Sequence, residues 1–99
     1  DDAKKAVAQG FKTLKIKVGK DGEGDVERMK AIRLAVGKDI LLRVDANQGW
    51  GAKQAVSIIS AMESEGLNIE LVEQPTPADD FEGLKYVTAH VRTPILASS

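Results

Sequence analysis

One pattern constrains this chain more than any other: short apolar segments of strand character alternate with amphipathic segments of helical period, four times over. Residues 13–18, Thr-Leu-Lys-Ile-Lys-Val, alternate apolar and charged side chains, the period-two signature of a strand. Residues 40–46, 69–73 and 95–97 supply three more strands, the third closed by Gln74-Pro75-Thr76-Pro77, where proline ends ladder pairing. Between them, residues 25–36 carry Val26, Met29, Ile32 and Val36 at helical steps, with Asp25 expected as the cap and Gly37 as the stop. Residues 53–65 carry Val56, Ile59 and Met62 on one stripe, and a helix from Asp80 carries Phe81, Leu84 and Val87. A short helix over residues 1–8, stopped by Gly10, precedes the first strand, and residues 19–24 form a glycine-rich loop. The order αβαβαβαβ predicts right-handed crossovers and a parallel sheet in a single α/β domain over residues 1–99.

Spacing points to one edge of that sheet. Lys17 to Asp45 and Asp45 to Glu73 are both steps of 28 residues, and each residue ends its strand. The C-terminal edge of a parallel sheet is where (β/α)8 barrels and open α/β sheets build their sites. A polar group at each strand end, at constant period, is not what packing alone requires.

Composition removes other classes. Among 99 residues, 42% are hydrophobic and 29% charged, a globular balance. Fourteen Lys and Arg against fifteen Asp and Glu give a net charge of -1, so no nucleic-acid surface is expected. No apolar run approaches the roughly 18–20 residues that span a bilayer, so no membrane partner is expected either. The absence of cysteine excludes disulfides and thiolate metal sites and fits a cytoplasmic location.

Lys15 and Lys17 stand two apart on a strand, so they share a face. Mutual repulsion of two ammonium groups favours a neutral lysine, which can act as a general base. The other reading is a solvated polar face on an edge strand. Asp45 and Asn47 share a face on the second strand, and Glu73 and Gln74 close the third. Two carboxylates on adjacent strand ends suit a hard divalent cation such as Mg²⁺, while Asp and Asn after a strand also make plain turn hydrogen bonds. Arg43 is placed to neutralise Asp45 as a structural ion pair. Trp50 admits two places, the mouth of the site or cover for hydrophobic surface. His90 is assigned only a helix-end charge effect.

The runs Gly10-Phe-Lys-Thr-Leu-Lys-Ile-Lys-Val-Gly19, Val44-Asp-Ala-Asn-Gln-Gly-Trp50 and Leu71-Val-Glu-Gln-Pro75 resemble the muconate-lactonizing subgroup of the enolase superfamily, most of all its L-Ala-D/L-Glu (dipeptide) epimerases. The resemblance implies four βα units of a (β/α)8 barrel, a half-barrel; the alternative is a sheet flattened into an open, flavodoxin-like arrangement. It implies Mg²⁺ as cofactor and a dipeptide as substrate, with proton abstraction alpha to a carboxylate giving an enolate. A Lys or His base with Mg²⁺ is the superfamily's known pairing, not something these residues show by themselves. Carried over by position, Lys17 is the base, Lys15 its electrostatic partner, and Asp45 and Glu73 the first two metal ligands. Asn47 and Gln74 are secondary candidates.

The same resemblance implies departures. In Pro94-Ile-Leu-Ala-Ser98-Ser99, Ser98 stands where the family's third carboxylate ligand belongs. A complete barrel needs about 200–250 residues, so the chain is expected to be a piece of an epimerase, excised or designed, lacking the opposite-face lysine and the capping domain. By itself it is expected to be inactive or nearly so. Two alternatives stay open: a half-barrel module that self-associates as a homodimer or higher oligomer, and a piece of another superfamily enzyme, a cycloisomerase or o-succinylbenzoate synthase.

Overall fold

A computed structural model describes residues 2–97. Eight elements follow in the expected alternation: α1 (Asp2–Ala8), β1 (Thr13–Lys17), α2 (Gly24–Val36), β2 (Leu41–Asp45), α3 (Ala52–Ser64), β3 (Ile69–Glu73), α4 (Phe81–His90) and β4 (Ile95–Leu96). All three strand pairings are parallel, and the strands lie in the order β1-β2-β3-β4. That order decides between the two expected architectures. A doubly wound sheet reverses its strand order at a switch point, whereas a barrel adds each strand beside the last. The chain adds its strands in sequence, so the flavodoxin-like alternative is not adopted.

The strands alternate as their sequence requires. Leu42, Val44 and Val72 are fully buried and join Met29, Ala55, Ile58, Ile59, Met62 and Val87 from the helices in one core. Leu14, Ile16 and Ile69 pack against it from the same side. The opposite set, Lys15, Lys17, Leu41, Arg43, Asp45, Leu71 and Glu73, is the sheet's other face, the face a closed barrel turns inward.

One irregularity keeps that alternation in step. Leu42 pairs with Ile69 but Arg43 with Leu71, so Glu70 is an extra residue on β3. Such a bulge lets Ile69 face the core while Leu71 and Glu73 stay on the open side. It also corrects the expected partner of Arg43: its Nε donates to Glu70 Oε1 at 2.6 Å, not to Asp45. The hydrogen bond and charge of Glu70 hold the Arg43 guanidinium above its ordinary pKa.

The helices follow their apolar stripes with two corrections. In α2, Val26 and Met29 are buried and Ile32 and Val36 pack on the core. Asp25, however, is not the cap: the helix starts at Gly24 after Glu23, and Asp25 lies inside its first turn. In α4, Asp80, expected as the start of the helix, is its cap, accepting from Gly83 N at 2.9 Å. Phe81 is 76% exposed, because α4 rests on the core through Gly83 and Val87 and its first position stands clear.

Arg33 closes the far end of this layer. Its guanidinium donates to the carbonyls of Gly37, Ile40, Leu67 and Asn68, tying the end of α2 to the entries of β2 and β3. Partial burial there lowers its pKa from the ordinary value.

Candidate active site

The 28-residue spacing becomes a row. Lys17 pairs with Asp45 and Asp45 with Glu73 in the sheet register, and Leu96 of β4 stands beside Glu73. Each residue of the triad closes its strand, and beyond Asp45 and Glu73 the chain turns sharply. Asn47, Gln48 and Gln74 take left-handed backbone angles, with φ of 51°, 62° and 50°. Non-glycine residues enter that region at a cost, and an edge that gathers three of them is held by its surroundings.

Those surroundings are cross-loop hydrogen bonds. Gln48 N donates to Gln74 O at 2.7 Å, Trp50 N to Pro75 O at 3.1 Å, and Gln74 N to Leu96 O at 2.8 Å. Ala78 N donates to Gln48 Oε1 at 2.8 Å. The loops after β2 and β3 and the end of β4 are therefore stitched together beside the row.

A buried carboxylate fixes the loop after β1. Asp25 Oδ2 accepts from Gly19 N at 3.1 Å and from Trp50 Nε1 at 3.2 Å. Gly19 lies two residues beyond Lys17, and Trp50 belongs to the loop that follows Asp45. Trp50 is 1% exposed, so it is core and linchpin rather than the rim of a mouth. The two loops also touch through backbone: a Cβ on Gly19 would meet the Ala46 carbonyl, and one on Gly49 the Gly19 carbonyl. Gly19 sits at φ +111° as well, so glycine is required there on two counts. Sequence reasoning missed this network; the signal available was an acidic residue in a first helical turn, which reads equally as a dipole partner.

The side chains of the row differ in their company. Asp45 is 6% exposed, and its Oδ1 accepts from Asn47 N at 2.9 Å, which is the turn hydrogen bond the sequence offers for it. Glu73 Oε2 lies 3.6 Å from Lys15 Nζ, which reaches across β2 to meet it. The nearest company of Lys15 is thus a carboxylate on β3, not only its neighbour Lys17. Lys17 itself has no carboxylate partner among the described residues. Its main-chain oxygen accepts from Arg28 Nη1 at 2.8 Å, anchoring the strand end while the residue stays exposed.

A cavity of about 380 Å³ opens beside Lys17, lined also by Val18, Lys20, Asp21, Asp25, Arg28 and Asn47. A larger one, about 430 Å³, lies at the opposite end of the sheet, between the entries of β3 and β4. The larger cavity has no connection with the row. Its Glu63 is committed to structure, accepting from Arg92 N, Thr93 N and Thr93 Oγ1.

Asp45 and Glu73 are hard oxygen donors on register neighbours, and Mg²⁺ characteristically takes one or two carboxylates together with water or substrate oxygens. The pair suits such an ion in its donor chemistry and stands on register neighbours. No group of three or more His, Cys, Asp or Glu that could hold a metal occurs among the described residues. Ser98, expected at the third ligand position, lies outside them.

Known proteins share this sequence and fold. The chain is 53% identical over 96 residues to the L-Ala-D/L-Glu epimerase of Clostridium acetobutylicum, covering 97% of this chain and 27% of that one. It is 56% identical over 97 residues to the L-Ala-D/L-Glu epimerase of Bacillus subtilis, covering 97% and 26%. It is 57% identical over 98 residues to the hydrophobic dipeptide epimerase of Enterococcus faecalis, covering 96% and 27%. The Bacillus enzyme, solved as a substrate-liganded complex, superposes with a TM-score of 0.95 at 56% identity over 97% of this chain and 27% of that one. The Enterococcus enzyme, solved with Mg and the dipeptide L-Leu-L-Tyr, superposes at 0.91 with 56% identity and the same coverage. The chain spans about a quarter of the length of these relatives. No helix among the described residues is long and apolar enough to cross a membrane. With a row of Lys, Asp and Glu closing consecutive strands, and a match over residues 1–98 to the enolase C-terminal domain-like model, the chain belongs to that family.

Proposed function

We propose that this chain carries one face of a Mg²⁺-dependent dipeptide epimerase site, with Lys17 as the base that removes the α-proton of the substrate. The observation that carries the reading is the row itself: a lysine and two carboxylates in register at the C-terminal edge of a parallel sheet. Asp45 and Glu73 would hold Mg²⁺, which when bound supplies positive charge to offset the enolate's developing negative charge. Lys15 adds a second positive charge on the same face. Lys17 exchanges its protons with solvent, being exposed and without a carboxylate partner among the described residues, and Arg28 holds its strand end while Asp25 holds the loop beyond. Asp45 keeps one orientation because Asn47 N–H holds one of its oxygens.

One base serves one face of the substrate α-carbon. Lys17 returns a proton to the side from which it took it, which is exchange without inversion. The chain alone is therefore expected to epimerise dipeptides little or not at all, while exchange of the α-proton with solvent survives. The test is proton NMR of L-Ala-L-Glu in D₂O with Mg²⁺, comparing the chain with Lys17→Ala. Exchange above background that disappears in the variant supports the reading. Exchange that persists in the variant, or none in either protein, overturns it. Lys17→Ala removes an exposed side chain, so its folding should match the parent within about 0.5 kcal/mol.

A further inference from the structure

The row of charges contains an ion pair that a metal cannot coexist with unchanged. Lys15 does not face its register neighbour alone; its Nζ crosses β2 and lies 3.6 Å from Glu73 Oε2. Asp45 stands on the strand between them, beside Glu73 in register. Two carboxylates on facing positions of neighbouring strands repel, and like charges there destabilise a sheet. Asp45 answers with an N–H from Asn47, and Glu73 answers with the ammonium of Lys15.

We propose that Lys15 is the resident counter-ion of Glu73 and competes with the divalent cation for that carboxylate. This inference rests on the reading of Asp45 and Glu73 as a metal pair. An ammonium and a divalent cation draw on the same carboxylate charge, so binding of the cation to Glu73 weakens its hold on Lys15. The exchange is sterically open, because the side chains of Lys15 and Glu73 are 48% and 22% exposed. Coupling between two ligands of one group is reciprocal, so whatever affinity Lys15 costs the cation, the cation costs the Lys15–Glu73 pair. Metal binding thereby releases a positive charge onto the face where the enolate's negative charge develops. The half-exposed pair is weak in itself, which makes the displacement readily reversible.

Mn²⁺ binding, followed by electron paramagnetic resonance, tests this without reference to catalysis. Lys15→Met keeps the stem and removes the charge; Lys12→Met, before the start of β1, controls for the general loss of one positive charge. Removing the competitor should tighten Mn²⁺ by about two- to fivefold, the range set by exposed ion pairs, with Lys12→Met changing it less than about twofold. Circular dichroism verifies that both variants keep the fold. Equal or weaker binding by Lys15→Met overturns the competition and leaves the metal pair standing. Tightening of the same size in both variants overturns it too, since the effect is then net charge alone. Absence of binding in every protein overturns the metal pair and the competition together.

Discussion

Replacing Trp50 with Phe should cost far more than trimming an indole from an ordinary core position. Trp50 is 1% exposed, and its Nε1 donates to Asp25 Oδ2, a carboxylate whose residue is itself 2% exposed. A hydrogen bond to a charged group contributes about 1.5–3 kcal/mol net, and the volume lost on going to Phe adds about 1 kcal/mol. The expected loss is about 2.5–4 kcal/mol, against a total stability of about 5–15 kcal/mol for a typical domain. At about 4–8 °C per kcal/mol, that is a fall in Tm of about 10–30 °C. Asp25→Asn keeps an acceptor but loses the charge, which roughly halves each of the two bonds. The two changes should therefore couple: once Asp25→Asn is in place, losing the indole N–H costs only a neutral bond. A double-mutant cycle measured by urea unfolding should return a coupling of about 1–1.5 kcal/mol. Far-ultraviolet circular dichroism is the appropriate probe, because Trp50 is the sole tryptophan and its fluorescence goes with it. Additivity within about 0.3 kcal/mol would mean that the charge of Asp25 adds nothing to its bond with Trp50, which would refute the charge-assisted reading.

Three further outcomes follow from the same geometry. Gly19→Ala should be among the most damaging single changes, about 3 kcal/mol or more, because the added Cβ meets the Ala46 carbonyl at a backbone angle that alanine resists; a denaturation midpoint near the parent's would refute this. Burial raises the Glu63 pKa, but the Thr93 hydroxyl, two main-chain N–H groups and the Arg92 charge outweigh it and hold the group below its ordinary 4.5. A depressed folded-state value stabilises the protein above pH 4.5 and loses that contribution as pH falls through it, so Glu63→Gln should cost about 1–3 kcal/mol at neutral pH and converge with the parent in acid; a gap that stays constant with pH would contradict the assignment. The open face carries Leu41 and Leu96 at 45% and 46% exposure, and β1 and β4 are the edges of the sheet, so we expect self-association; a sharp monomer in sedimentation equilibrium at tens of micromolar would refute it.

What is legible in the sequence is whatever a local period encodes. The strands are bounded to within a residue or two because alternation over Thr-Leu-Lys-Ile-Lys is unambiguous, and the constant 28-residue step already puts Lys17, Asp45 and Glu73 in one row. The period alone does not give the sheet order, since βα alternation suits barrels and doubly wound sheets alike; the half-barrel order comes from the resemblance carried by the strand-end motifs. Contacts between distant side chains are hidden for a different reason. Asp25 reaches Trp50 across 25 residues and Arg43 finds Glu70 across 27, the latter beside a bulge that makes Glu70 the extra residue of its strand. A bulge changes the face of a residue without changing the hydrophobic pattern around it. Arg43 therefore reads as the partner of Asp45, two residues along its own strand, although the carboxylate it meets is Glu70.

Asn47 and Gln74 remain the residues whose purpose the fold alone does not supply, and glycine substitution separates the readings. Both adopt left-handed backbone at φ 51° and 50°, and among the described residues neither side chain makes a hydrogen bond. Left-handed backbone costs an L-residue about 1–2 kcal/mol, while glycine's extra chain entropy costs about 0.5–1 kcal/mol. Asn47→Gly and Gln74→Gly should accordingly leave the chain as stable as before or up to about 1 kcal/mol more so. Proteins rarely leave such a gain unused at an edge without function, since strain of this kind collects at sites. If stability rises while Mn²⁺ binding or α-proton exchange falls, the two amides serve the site beside Asp45 and Glu73. If both variants unfold more readily than the parent by more than about 0.5 kcal/mol, these side chains hold the loops instead.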